Sequence, residues 1–319
     1  MVAELNGSKI LGLLKSKIAI GLIASGLCFF AFSSVYHASR PVRLSDPEFS
    51  QKWFFDMPHR KKAGSKLFTD NIYCISVSER IDHRARAQSL FDHLGLDVEY
   101  SQGVDLKKDR GYLDVPKDIW GKIEDKEVAT WQSHVRVWKD MIKRGYELSL
   151  VLEDDVDFSM NIHEYVRKTI DIMEKYSADR STSGDDPGWD IAYIGHCSND
   201  EGAGKALEAD FPMLRPATKP RCHFGYLLSK IGAQKLVDKM SASIDRSLDL
   251  KILDEMNNKN SLRVYSLETP VVVRREDNDP TPRDAKATMF RLSADDSTLD
   301  HVLRYGHLYT IEEAIEMGL

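Results

Sequence analysis

The sequence predicts an α/β fold, a mostly parallel central sheet flanked by helices, with a transmembrane helix ahead of it. Three observations predict it. Residues 18–36 (IAIGLIASGLCFFAFSSVY) form a nineteen-residue run without a formal charge, which at a rise of ~1.5 Å per residue nearly matches a ~30 Å hydrocarbon core. Beyond it, short unbroken apolar runs alternate with amphipathic stretches, the β-α-β order of a layered α/β domain. Finally, Val128, Trp131, Val135, Trp138 and Ile142 fall at spacings of 3, 4, 3 and 4, and the apolar run LSLVL follows at once, as a helix leading into a buried strand would read. With 319 residues the chain can build one large domain or two small ones.

Lys9, Lys15 and Lys17 precede the apolar run and Arg40 and Arg43 follow it. This slight positive-inside bias puts the amino terminus in the cytosol, as a single-pass type II signal anchor. A cleaved signal peptide, cut near Ala31 and Ser33, is the competing reading. Either way the body is exported into a lumen. Ser39 to Ser65, which includes Pro41, Pro47, Pro58 and Gly64, shows neither period and reads as a stem. NIYCISV (Asn71 to Val77) is the first buried strand, Asp82 to Leu94 a polar helix, and VEYSQGV (Val98 to Val104) the second strand. The Val128–Ile142 face belongs to a helix ending at Gly145, and Leu148 to Leu152 is a buried parallel strand. A helix over Ile162 to Tyr176, a loop over Ser181 to Gly188 and a strand over Trp189 to Gly195 come next. Ala233, Leu236, Val237 and Met240 mark a helix capped by Ser229; Leu248, Ile252 and Met256 mark another. Leu262 to Val273 reads as strand, turn, strand. Past Arg274 charges and prolines dominate, and Ile311 to Met317 is a peripheral helix.

Composition removes several function classes. The chain has 44 Lys/Arg against 50 Asp/Glu, a net of −6; five bases and one acid in residues 1–43 leave 39 against 49, or −10, on the body. An acidic body lacks the clustered positive charge that nucleic-acid binding needs. Four cysteines are too few for a disulfide scaffold, and none shows the Cys-x-x-Cys spacing of zinc or thiol-redox sites. Cys28 lies in the apolar run and Cys74 in a buried strand. Cys197 and Cys222 fall in loop-like sequence of an exported body, where they pair as a disulfide or stay two free thiols.

In α/β sheets ligands gather beyond the carboxyl ends of strands. LSLVL is followed by Glu153, Asp154, Asp155 and Asp157, four acids within five residues. A fold tolerates such crowding where a divalent cation or backbone N–H donors neutralise it. Hard oxygen ligands suit Mn²⁺ or Mg²⁺, which leave positions open for substrate phosphates. A solvated acidic turn at the start of the next helix is the alternative. The first strand ends at Ser76, and Arg80, Arg84 and Arg86 follow; guanidinium forks suit a diphosphate, although Arg86 equally suits an exposed helix face. His134 lies between Trp131 and Trp138 on the apolar stripe, the position of a hydrogen-bonded core histidine more than of a ligand or base. Asp245 precedes the Leu248 helix, where it caps the helix or, with Asp249 one turn on, serves as a general base.

Several of these segments resemble glycosyltransferase family 25, which includes procollagen galactosyltransferases and bacterial lipooligosaccharide galactosyltransferases. IYCISV-SERIDHR is similar to the family's opening strand and Arg-rich start. EVATWQSHVRVWKDMIKRGYELSLVLEDDVDF is similar to its Ser-His helix and the strand ending in Glu-Asp-Asp. DIAYIGH, HFGYLLSKIGAQKLV and SIDRSLD resemble its later segments, in the same order from Asn71 to Glu276. The resemblance implies a GT-A-type nucleotide-sugar-binding fold, a UDP-galactose or UDP-glucose donor, Mn²⁺ or Mg²⁺, and inverting transfer to a hydroxyl on a glycan or glycoprotein acceptor. It implies that Asp155 and Glu153 serve the metal, with Asp155 the direct ligand; that Ser76, Arg80, Arg84, Glu153 and Asp154 bind the donor; and that Ser133 and His134 are the family's Ser-His pair. The catalytic base is then Asp245, with Asp249 and His134 behind it. Two segments depart from the pattern: EVATWQ leads into the Ser-His, and Arg274-Arg275-Glu276-Asp277 follows the late strand. The expected organisation is a cytosolic tail (1–17), a signal anchor (18–36), a stem (37–66), a glycosyltransferase domain (67–283) and a peripheral C-terminal extension (284–319), held in the Golgi or endoplasmic reticulum membrane with the catalytic domain lumenal. A membrane-tethered sugar-binding protein that kept the fold without turnover is the alternative. A metal-dependent phosphohydrolase ranks behind both, because the acidic cluster has no histidine ligands beside it.

Overall fold

The computed structural model describes residues 65–113, 115, 122–178, 188–197, 204–240, 244–257, 261–275, 290 and 292–319. The tail, the apolar run 18–36 and all but the end of the stem lie outside the described residues, as does most of the Ser181–Gly188 loop. Among the described residues no helix is long and apolar enough to cross a membrane.

The chain runs β1 (Asn71–Ser76), α1 (Ile81–Leu94), β2 (Glu99–Gln102), α2 (Leu106–Asp109), α3 (Asp125–Arg144), β3 (Leu148–Glu153), β4 (Val156–Phe158), α4 (Ile162–Ala178), β5 (Ile191–Gly195), β6 (Leu214–Pro216), β7 (Gly225–Ser229), α5 (Lys230–Met240), α6 (Leu248–Asn257), β8 (Val264–Leu267), β9 (Val272–Arg274), α7 (Thr298–Tyr305) and α8 (Ile311–Glu316). The sheet order is β2-β1-β3-β7-β5-β8-β6, and β9 joins β5 to β4. β1 is parallel to β2 and β3, and β5 to β8 and β9. β7 lies antiparallel between β3 and β5, β6 antiparallel to β8, and β4 antiparallel to β9. The expected mostly parallel sheet is therefore a mixed one. An unbroken apolar run reports burial on both faces of a strand and carries no information about its direction; β7, wholly buried, reads the same either way.

One face of the sheet packs on α3, α5 and α6. Trp131, Val135, Trp138 and Met141 of α3 meet Tyr73, Val151, Tyr193, Tyr226 and Leu228 from the strands. The helix opens with a capping box between Glu124 and Glu127 and ends at Gly145 with φ 73°, the left-handed conformation that glycine adopts without a Cβ clash. Ser229 caps α5, its Oγ accepting from the Gly232 N–H at 3.0 Å.

The C-terminal residues close over α1. His93 Nε2 meets His301 Nδ1 at 2.8 Å and the Tyr309 N–H donates to Ser89 Oγ at 2.8 Å. Thr298, Val302 and Ala314 are buried, whereas Leu303, Tyr305, Ile311, Ile315 and Met317 face outward. The extension is peripheral on its outer face and bonded into the domain on its inner one.

Candidate active site

Because β1, β3, β5 and β9 run in one direction, their carboxyl ends share one edge of the sheet. The acidic turn leaves β3 there. Its four carboxylates point to four different partners, so the fold separates charges that the sequence crowds.

Asp154 turns toward β1. It is buried, and Ser76 Oγ donates to its Oδ2 at 2.7 Å. Arg84 braces that serine, donating from Nε to Ser76 Oγ at 3.1 Å and from Nη2 to the Ser76 carbonyl at 3.2 Å. Its guanidinium also lies over the Tyr100 ring. Arg80 Nη1 and His83 Nδ1 approach Asp154 Oδ1 at 3.4 and 3.6 Å. Burial opposes the Asp154 charge, but the His83 bond, the Arg80 charge and the Ser76 hydroxyl outweigh it and hold the carboxyl below the usual carboxylate range. Ser76, Arg80, Arg84 and Asp154 are thus brought together. Arg84 is buried and does structural work, while Arg80 keeps an exposed guanidinium.

Asp155 turns the other way. Arg274, at the end of β9, places Nε and Nη2 each 2.7 Å from Asp155 Oδ2. The register that pairs Val156 with Arg274 sets this contact, and the next residue locks it: the Arg275 N–H donates to the Asp155 carbonyl at 2.7 Å and Arg275 Nη2 to the Asp154 carbonyl at 3.1 Å. Burial, and then the Glu153 charge, raise the Asp155 pKa above the ordinary value. Asp155 Oδ1 is buried and has no hydrogen-bond partner among the described residues. These residues include no group of three or more His, Cys, Asp and Glu that could hold a metal ion by themselves. One hard, unpartnered carboxylate oxygen still fits a Mn²⁺ or Mg²⁺ whose remaining positions are filled by water and substrate phosphates.

Glu153 faces His134, with Nε2 3.4 Å from Oε1. Burial works against its charge, and the His134 bond overcomes it, so its pKa falls below the ordinary value. His134 is itself buried. Trp138 Nε1 donates to Tyr226 Oη at 2.9 Å, and Tyr226 Oη lies 2.9 Å from His134 Nδ1. A Tyr226 proton on Nδ1 leaves the Nε2 proton for Glu153, one continuous chain from Trp138 to the strand tip. His134 therefore orients Glu153 and is removed from solvent. Its partner in the pair, Ser133, accepts from the Val104 N–H at 2.9 Å and ties α3 to the exit of β2.

Asp157 binds the C-terminal extension. Ser297 Oγ donates to its Oδ2 at 2.7 Å and the Leu299 N–H to its Oδ1 at 2.9 Å, so it belongs to packing.

The two candidate bases separate. Asp245 is an ion-pair partner of Lys251 at 3.0 Å and of Arg246 at 3.8 Å, with no partner from the strand tip among the described residues. Nor does it cap α6. Ser247 stands there, its carbonyl accepting from the Lys251 N–H, because the helix begins three residues beyond Asp245. Asp249 accepts from Ser247 Oγ at 2.6 Å, and its charge is felt at His223, which packs edge-on against His134.

Cys197 and Cys222 are joined in a disulfide with Cα atoms 5.8 Å apart. The bond anchors the segment that carries His223 and Phe224, and the Phe224 carbonyl accepts from the Glu153 N–H at 3.2 Å. Sequence reasoning passed over Arg274, Arg275, His83 and His223 as site residues. The two arginines stood directly after the apolar run VVV, and the strand-end rule that selected Glu153 to Asp155 applies to them equally.

The family model described as glycosyltransferase family 25 (LPS biosynthesis protein) matches residues 69–252, more than half of the chain. A glycosyltransferase 25 family member of Aedes aegypti is 28% identical over 185 residues, 54% of this chain and 29% of its own length. Procollagen galactosyltransferase 1 of Danio rerio is 23% identical over 262 residues, 74% of this chain and 39% of its own. The chain thus spans well under half the length of these curated relatives. Among solved structures, a glycosyltransferase involved in the glycosylation of the major capsid of PBCV-1 matches with a TM-score of 0.35 at 10% identity, over 68% of this chain and 96% of the other. One continuous family match runs from the first strand through the acidic tip to the helix that bears Asp249, and on that match the chain belongs to glycosyltransferase family 25.

Proposed function

We propose that this chain transfers a hexose, galactose or glucose, from a UDP-sugar to a hydroxyl of a glycan or glycoprotein acceptor, with inversion at the anomeric carbon. The observation that carries the reading is the convergence at one sheet edge of Asp154, tied to Ser76 and Arg80, with Asp155, tied to Arg274. Such an edge offers carboxylates and guanidinium groups together, which suits a ligand combining sugar hydroxyls with a diphosphate.

The acceptor oxygen attacks the anomeric carbon while the bond to the diphosphate breaks and its electron pair leaves with UDP. The acceptor proton passes to a carboxylate. Asp249 is that base in our reading, because its charge bears on His223, whose ring packs against His134, whereas Asp245 is engaged by Lys251 and Arg246. Arg80 and Arg274 face the developing charge of the diphosphate. Asp155 Oδ1 would hold a Mn²⁺ or Mg²⁺, which when bound supplies further neutralisation of the leaving group. The disulfide supports a lumenal site of action, since such bonds persist in oxidising compartments; we place the protein in the Golgi or endoplasmic reticulum membrane, tethered by residues 18–36.

Release of UDP from UDP-galactose and UDP-glucose, with and without acceptor glycans, tests the activity. Asp249→Asn should lower kcat by about a hundredfold or more with UDP affinity unchanged, and Asp245→Asn should not. Asp155→Asn should abolish turnover while the protein stays folded, with a lowered melt because Arg274 loses its buried partner. Tight UDP-sugar binding with no turnover on any acceptor would instead favour a sugar-binding protein that kept the fold.

A further inference from the structure

The carboxylate that the family resemblance makes the direct metal ligand already carries a protein cation. Arg274 spends two of its three nitrogens on a single oxygen of Asp155, and its Nη1 has no partner among the described residues. Its side chain is 38% exposed, against 6% for that of Asp155, so the guanidinium forms the solvent-facing side of the pair. The contact is built into the backbone: the β4–β9 register sets Arg274 beside Val156, and the Arg275 N–H holds the Asp155 carbonyl. On its other side Arg274 neighbours His196, Cys197, Phe224 and Phe290 around a space too small for a water, and the Cys197–Cys222 bond holds one side of it. The arginine is therefore presented at the end of β9, beside the acidic tip of β3. Across the tip, Arg80 stands on the far side of Asp154. Together these bracket the site with permanent positive charge, which no change of pH or metal supply removes.

From this geometry we propose that Arg274 is a positioning residue for the donor's diphosphate, a fixed cation that lets a nucleoside diphosphate bind without a divalent ion. In the resting protein it neutralises Asp155. With nucleotide bound, Nη1 and the outer edge of the fork turn to phosphate oxygens while Nε keeps its hold on the carboxylate. The inference rests on the UDP-sugar reading above and goes beyond it by assigning to a side chain a charge that the reading otherwise leaves to a metal.

The test is isothermal titration of UDP into the intact protein, in Mn²⁺ and in EDTA, for the wild type, Arg274→Gln and Arg274→Lys. Wild-type affinity in EDTA should stay within about tenfold of that in Mn²⁺. Arg274→Gln should lose about tenfold or more in EDTA, the range of a charge-assisted bond to phosphate, with most of the loss recovered in Mn²⁺. Arg274→Lys keeps the charge without the fork and should fall between them, and it carries the test if the glutamine variant fails to fold. The inference is overturned if the wild type binds UDP in Mn²⁺ and loses more than tenfold in EDTA, or if Arg274→Gln binds in EDTA as the wild type does. A wild type that binds UDP in neither condition removes the hexosyltransferase reading along with it.

Discussion

At the residue scale the molecule separates groups that the sequence presents as one cluster. Glu153, Asp154, Asp155 and Asp157 are near neighbours in the chain, yet the first orients on His134, the second on Ser76, the third on Arg274 and the fourth on Ser297. The wall behind them holds a further titratable group. Burial, and then repulsion from His134, push the His223 pKa down to about 4, so the ring is neutral in the folded protein at physiological pH. The unfolded chain binds this proton near the ordinary histidine value of about 6.5. Between those two values the unfolded state carries more protons, so stability contributed by the neutral ring is complete above pH 6.5 and drains away as pH falls toward 4. His223→Phe should flatten the melting temperature profile across that window, where one such group contributes a slope of up to ~1.4 kcal/mol per pH unit; a profile identical to wild type would remove His223 from the acid response. The core role of His134 was legible in the apolar stripe of its helix. That it also faces Glu153 was not, since the contact is made between α3 and the far end of β3, which only the packing of helix on sheet brings together.

Elements join the site to the rest of the chain. β4 is three residues long and, among the described residues, pairs only with β9, and this short ladder puts Arg274 on Asp155 and Asp157 beneath α7. The start of α7 depends on one serine: Ser297 Oγ accepts from the Asp300 N–H at 3.0 Å while donating to Asp157. Ser297→Ala removes the helix cap and leaves a buried carboxylate oxygen without its donor. It should cost about 1–3 kcal/mol, with amide exchange accelerated first over Thr298–Tyr305. A uniform loss across the domain, with no lead at α7, would contradict this account. β1, β2, β3, β5, β8 and β9 and the long helices were legible, the strands as short apolar runs and the helices by their 3.6 period, whereas β6 and the central β7 were not read as strands. β4 and α7 were not legible, because β4 is only three residues long and α7 lies in a charge-rich stretch and takes its stability from packing on α1 and β4.

For the whole molecule, one covalent link crosses the segment between β5 and β7. Cys197 and Cys222 are 25 residues apart in sequence, so their bond limits the unfolded chain over a loop that includes β6. Reduction should lower stability by about 3 kcal/mol and, because His223 and Phe224 follow Cys222, weaken the backbone support of Glu153. The comparison to make is thermal denaturation of oxidised and reduced protein; equal melting temperatures would mean that the link adds nothing to the fold. The site as a unit was half legible. Its acids and the Arg80–Arg84 segment stand next to apolar runs, where the strand-end rule finds them, but no spacing in the sequence links Asp155 to a residue 119 positions away.

The sequence by itself determined the α/β class, the placement of the main helices and of the buried strands other than β7, the acidic strand tip and the family. Each of these is written in local pattern, as periodicity, caps and contiguous motifs, and survives without knowing what lies beside what. Only the tertiary structure decided strand direction, the antiparallel insertion of β7, the parting of the four carboxylates and the choice of Arg274 as the counter-charge of Asp155. Those depend on which backbone segments pair, a question settled by close packing and by satisfying buried polar groups across distant parts of the chain.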